Sequence, residues 1–287
     1  MIHLENETLR LELMPDHGAA IWQMEFRTAS GWQPVLIPDT AEPRGALSSG
    51  LFWMLPFANR ARGNRLHSIH LQPNTTEPLA LHGFAWQRRW HVEMQGAGSV
   101  RLHLAASDAD SPFPFSAKLD LRVHGTSFLA LLVLRNVGDR SIPAGLGAHP
   151  WFPNLPGTEL QFDASHVYLE GPDHLPTDPI TPPPELDFSA GAPVPKSWRN
   201  NAYAGWSGHA VIRQPELGYQ MTMQTDPGTR ELMFHTAPRL PRFALEPQTH
   251  TSGATLEEPP TPQIGLPLLK PGHVLTGGLS VTLLPSH

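Results

Sequence analysis

The chain has 287 residues, 40% of them hydrophobic, which excludes intrinsic disorder, and its 32 Pro and 24 Gly argue against a helical bundle because both residues disfavour helix interiors. A formal charge of −6 without a basic run excludes an electrostatic footprint for nucleic acid or an anionic membrane surface. The absence of Cys excludes disulfides, thiolate catalysis and Cys-ligated zinc.

The first residues, MIHLENETLR, carry acids where a signal peptide needs a basic start and an apolar core, and no run reaches the roughly 18 apolar residues of a membrane span, so a cytoplasmic protein is expected. Leu9, Leu11 and Leu13 then alternate with Arg10 and Glu12, Val100, Leu102 and Leu104 with Arg101 and His103, and Leu119, Leu121 and Val123 with Asp120 and Arg122. Tyr219, Met221 and Met223 do the same against Gln220 and Thr222. This period of two predicts half-buried strands. Phe128 to Leu134 and Val274 to Leu284 are mostly apolar and predict strands covered on both faces. With no helical period in any long window, the fold class is all-β, a sandwich or barrel. Pro172 to Pro195 is dense in proline and predicts a long ordered surface loop, with strands of the same character on both sides, so residues 1–287 are expected to form one domain.

Four segments combine polar groups with conformational punctuation: Pro56 to Gly63, Leu81 to Trp86, Gly145 to Phe152 and Phe243 to His250. Glu246 follows the apolar lead-in Phe243-Ala-Leu, so its carboxyl is expected to be partly desolvated with a raised pKa, as a general base requires; the competing reading is a salt-bridged rim carboxylate. Pro247 suggests a strand end or edge, and an extended backbone puts Gln248 on the face of Glu246. His149, stiffened by Pro150, is a candidate proton donor against the alternative of a structural hydrogen-bonder. His82 precedes Gly83, where backbone can approach a ligand. Arg60 and Arg62 offer forks of donors for an oxygen-rich ligand or for an acidic partner. Trp53, Trp86, Trp151 and Trp206 present flat faces suited to a sugar ring or to the core. An acid, a base, an arginine and aromatic walls together point to proton transfer on a polyhydroxylated molecule.

The run Pro56-Phe-Ala-Asn-Arg60, Leu81-His-Gly-Phe-Ala-Trp86 with Trp90, Pro114-Phe115, Gly147-Ala-His-Pro-Trp-Phe152, Gly205-Trp206, Glu246-Pro-Gln-Thr249 and Pro271-Gly272 resemble, in their order, the bacterial aldose 1-epimerases, or galactose mutarotases. The resemblance implies a large twisted antiparallel β-sandwich with an open sugar-binding cleft, no metal and no organic cofactor, and a small aldose as its small-molecule partner. It implies that Glu246 removes the proton from the C1 hydroxyl while His149 protonates the ring oxygen, that the two then exchange roles, and that Arg60 and His82 bind sugar oxygens. Assistance at both oxygens is expected from opposite sides of the ring.

One position departs from the family. Asn200 stands where related sequences carry a sugar-binding aspartate, so a negative charge is missing there, and Asn200→Asp is expected to tighten binding if nothing else nearby has changed. That departure keeps a non-catalytic or weakly active sugar-binding protein of the same fold as the rival function. A glycoside hydrolase lacks its second carboxylate in this reading. A metal enzyme built on His67, His70 and His82 has no zinc spacing, and a sugar phosphate held by Arg60, Arg62, Arg65, Arg88 and Arg89 stays open as a variant substrate.

Overall fold

The computed structural model describes residues 1–106, 111–258 and 264–286. Two antiparallel sheets, one of 11 strands and one of 9, enclose the core. Three of the four alternating segments lie in the smaller sheet, and the fourth, Leu9–Met14, lies in the larger. Leu119 pairs with Leu102 on one side and with Leu132 on the other, and all three point inward. The polar neighbours of Leu119 and Leu102 along their strands face out, the pattern expected of an antiparallel sheet with one wet face.

Two predicted strands differ from expectation. Phe128 to Leu134 lies within the strand Ser127–Asn136, which alternates rather than being covered on both faces, leaving Leu129 and Leu131 about two-fifths exposed beside Arg122 and Asp120. Val274–Pro285 behaves in the same way, with Val274 and Leu284 half exposed. An apolar run cannot report that its outer face meets solvent, because the neighbouring strands decide that. The proline-dense stretch likewise contains a strand, Pro176–Ile180, which pairs with His166–Glu170 at the edge of the larger sheet. An edge strand tolerates proline because one row of its N–H groups needs no partner in the sheet. Among the described residues no helix is long and apolar enough to cross a membrane.

The centre of the larger sheet positions the site. Its strands run Leu51–Met54, Gly147–Pro153, Arg242–Gln248, Glu231–Thr236, Arg199–Ala204 and His166–Glu170 in spatial order. Trp53, Ala148, Phe152, Phe243, Leu245, Phe234 and Tyr203 point into the main core between the sheets. The alternate positions face the other way, where Phe52 and Met54 join Met14, Ala20, Trp22, Ala46 and Ala58 in a second apolar cluster. Gly147–Pro153 and Arg242–Gln248 are buried on both faces.

Candidate active site

Cross-strand register arranges the polar residues in rows. Gly147 pairs with Gln248 and Trp151 with Ala244, which sets His149 opposite Glu246. Pairing stops between those two points, and there each strand carries a proline, Pro150 and Pro247, which cannot donate to the ladder. Pro247 is the penultimate residue of Arg242–Gln248, at a strand end as predicted, although the strand itself is central in the sheet and not an edge. His149 also pairs with Phe52, Glu246 with Met233, and Met233 with Ala202. Two residues further along each strand, on the same face, a second row runs through Trp151, Ala244, His235 and Asn200.

The two groups singled out for proton transfer are in direct contact: His149 Nε2 lies 3.1 Å from Glu246 Oε1, with both side chains more than 90% buried. Burial pushes the Glu246 carboxyl up to about 8, against the opposing pull of the hydrogen bond from Asn59 and the charge of Arg60. Burial also drives His149 well below the ordinary imidazole value, reinforced by His82, His235 and Arg242. The Phe52 ring stacks on His149 at 4.5 Å between centroids, and His82 meets it edge-on at 5.2 Å. His149 and Glu246 thus sit side by side on one face of the sheet, because they occupy facing positions of adjacent strands.

The loop following Leu51–Met54 supplies Asn59, whose Nδ2 donates to Glu246 Oε2 at 3.0 Å and to Gln248 Oε1 at 2.9 Å. Gln248 shares the face of Glu246, as an extended strand requires. Asn59 has φ of 57°, a left-handed conformation that asparagine adopts more readily than most residues. Its backbone N–H donates to His82 Nδ1 at 3.3 Å. That leaves the proton of neutral His82 on Nε2, and burial followed by the charge of Arg60 lowers His82 to about 3. His250 anchors the same loop, accepting from the Ala58 N–H at 2.9 Å through Nε2 while Nδ1 meets the Thr251 carbonyl at 2.9 Å. Arg60 forks onto Glu77 with two bonds of 2.8 Å. Gly83 approaches the chain itself rather than open ligand space: a Cβ there would lie 2.1 Å from the Leu55 carbonyl oxygen.

The aromatic candidates divide. Trp151 is at the site, its ring tilted against His149 at 5.1 Å and its face covered by the Arg242 guanidinium at 4.1 Å. Trp206 is not at the site. It is fully buried in the main core, donating from Nε1 to the His209 carbonyl at 3.1 Å, because Gly205 turns the chain inward after the strand Arg199–Ala204. Trp53 is also a core residue, bonded to the Ala19 carbonyl. Trp86 is half-buried and bonds the Gly83 carbonyl.

The second row extends beyond what the sequence singled out. Trp151 meets His235 at 5.8 Å, and His235 meets Trp198 at 5.1 Å. Asn200 Nδ2 donates to Glu170 Oε1 at 2.6 Å, Trp198 Nε1 donates to Glu170 Oε2 at 2.6 Å, and His174 Nδ1 lies 2.5 Å from Oε1. Burial works against ionisation of Glu170, but the bonds from Trp198, His174 and Asn200 outweigh it and hold the carboxyl below its ordinary range. The negative charge missing at Asn200 is therefore present beside it. Trp198 and Asn200 share a face by alternation, a signal available in the sequence; Glu170, His174 and His235 had none, since the pairing that unites them is long-range. Elsewhere, an open hollow of about 540 Å³ on the smaller sheet is lined by Arg101, Asp120 and Arg122, with Arg101 and Asp120 already ion-paired at 2.7 Å, and it contains none of the selected residues.

A family model described as aldose 1-epimerase matches residues 1–282, and the chain belongs to that family. An uncharacterised Escherichia coli K12 protein, YphB, is 32% identical over 250 residues, covering 82% of this chain and 84% of its own length. The crystal structure of an E. coli K12 protein provisionally assigned as an aldose 1-epimerase superposes with a TM-score of 0.90 at 28% identity, covering 99% of this chain and 98% of the other. A galactose mutarotase-like protein from Clostridium acetobutylicum has the same fold, with a TM-score of 0.84 at 14% identity over 99% of this chain and 94% of its own.

Proposed function

We propose that the protein is an isomerase that interconverts the α and β anomers of a neutral aldose, with Glu246 and His149 as its proton-transfer pair. The carrying observation is the buried 3.1 Å contact between them. The two oxygens that exchange protons in a cyclic aldose, the C1 hydroxyl and the ring oxygen, are bonded to the same carbon. Two titratable groups in contact on one wall match that demand.

The chemistry balances within the pair. Glu246 takes the proton of the C1 hydroxyl, the C1–O5 bond breaks as the C1 carbonyl forms, and His149 Nε2 gives its proton to O5. After rotation about C1–C2, His149 recovers the O5 proton while Glu246 returns one to the carbonyl oxygen as O5 attacks the other face. The pair carries one proton throughout. In the unliganded protein burial favours placing that proton on Glu246 with His149 neutral, and its transfer to His149 sets up the ring-opening state. Proton transfer of this kind contributes about 10²- to 10⁴-fold per group. Asn59 holds Glu246 in place and His82 flanks the pair for contact with sugar oxygens, while Arg60, forked onto Glu77, acts on Glu246 through its charge.

Three of the five arginines considered for a phosphate are engaged elsewhere: Arg60 with Glu77, Arg89 with Asp16 at 2.9 Å, and Arg62 with the Pro176 carbonyl. With Glu170 ionised at the far end of the row, a neutral sugar suits the site better than a phosphorylated one. Glu170 also does not revive a glycoside hydrolase. It lies three strands from Glu246, roughly 14 Å at about 4.8 Å per strand, whereas the paired carboxylates of such enzymes stand about 5 to 10 Å apart. Polarimetry of freshly dissolved α-glucose and α-galactose tests the proposal: the protein is expected to speed the approach to anomeric equilibrium, and an unchanged rate with both sugars would overturn it.

A further inference from the structure

We infer that Glu170 is a positioning residue for substrate recognition: it fixes the amide of Asn200 so that Oδ1, an acceptor, is presented to a hydroxyl of the bound aldose. The inference rests on the function proposed above and adds a residue to it.

Asn200 belongs to the row that starts at Trp151 and crosses Ala244 and His235, on the face that carries His149 and Glu246. It lies two strands from Glu246, roughly 10 Å, a span that a pyranose with its hydroxyl groups bridges. An asparagine there can offer either an N–H or an oxygen to a ligand, and the two choices select different partners. Glu170 removes the ambiguity. An ionised carboxylate only accepts, so the Asn200 atom 2.6 Å from Oε1 must be the nitrogen, and Oδ1 points elsewhere.

The carboxylate is itself held firmly. Trp198 Nε1 occupies Oε2 and His174 Nδ1 reaches Oε1. Asp173 and His174 both adopt left-handed backbone conformations, with φ of 62° and 57°, where non-glycine residues are uncommon. Such conformations cost free energy and persist only where the surroundings enforce them. The outcome is one carboxylate oxygen shared by an amide and an imidazole, and an amide with one orientation. Asn200 then presents an oxygen as an aspartate would, while the charge resides on the neighbouring side chain of Glu170.

This arrangement reverses the expectation drawn from sequence for Asn200→Asp. That substitution puts a second carboxylate within about 3 Å of Glu170, where two like charges repel, and the side chain loses its fixed orientation. The test is a double-mutant cycle read by polarimetry and by calorimetric titration, with glucose and galactose as probes. Glu170→Gln and Asn200→Asp are each expected to raise KM and Kd about tenfold with kcat within about twofold. In the double variant the introduced amide donates to the introduced carboxylate and restores one orientation, so KM is expected to return to within about threefold of the parent. A purely structural role would make the two losses add instead. Additive losses, or an unchanged KM in Glu170→Gln, would overturn the inference while leaving the isomerase reading intact. Absence of both binding and turnover in the parent protein would overturn the two together.

Discussion

Asn59 and Glu246, 187 positions apart in sequence, are joined by a 3.0 Å hydrogen bond that the same Asn59 nitrogen extends to Gln248. The bond joins the Pro56 to Gly63 loop to the central strand of the larger sheet and stabilises the ionised form of a carboxyl that burial drives toward neutrality. Asn59→Asp keeps the shape and tolerates the left-handed backbone, but it replaces a donor with an acceptor facing another carboxyl. Mutarotase kcat is expected to fall about 10- to 100-fold, the range of a hydrogen bond to a charged group. Undiminished turnover in this variant would show that Asn59 does not orient the pair.

Glu246→Gln is expected to abolish activity and to stabilise the fold in alkaline solution. The carboxyl is raised from 4.5 to about 8 on folding, so its contribution to stability is complete below 4.5 and is lost as pH rises through about 8. Within that window the loss approaches about 1.4 kcal/mol per pH unit. Glutamine never ionises, can still accept from Asn59, and can donate to unprotonated His149 Nε2. Melting curves should show the difference in Tm, variant minus parent, growing from pH 5 to pH 8.5; a difference independent of pH would contradict the buried, raised carboxyl.

The pH profile of turnover follows from the single shared proton. Below about 8 the pair retains it, and above about 8 Glu246 ionises while His149, held low by burial, cannot take up a proton to serve as the acid. Activity is expected to be level between pH 6 and 7.5 and to decline through pH 8 to 9, after correction for the rising solvent-catalysed rate. An increase across that range would mean that Glu246 acts alone as a base.

Trp206→Phe separates core from site. The ring is fully buried among apolar neighbours and its Nε1 bonds the His209 carbonyl, so the substitution should lower stability by about 1 to 3 kcal/mol. KM should stay within about twofold in steady-state polarimetry. A large rise in KM without a change in Tm would return Trp206 to the sugar site.

Most of the sheet architecture was legible because a strand with one wet face writes its period into the chain, as Leu119, Leu121 and Val123 do. The candidate site was legible in part. Glu246, His149, Asn200 and Gln248 stood out through motif and neighbouring proline, and the shared face of Glu246 and Gln248 follows from alternation alone. Tryptophan gave a false lead at Trp206, because its apolar ring suits a core as well as a sugar face, and the residues around it do not say which side of the sheet the chain turns toward.

The sequence alone determined the all-β class, the family and the identity of the proton-transfer candidates, since these depend on local period and on short motifs. Tertiary structure alone decided that His149 touches Glu246, that Asn59 bridges two residues of a distant strand, and that Glu170 sits against Asn200. Each of these is a contact between strands or loops far apart in the chain, and its geometry and burial come from register and sheet order, which no local window of residues encodes.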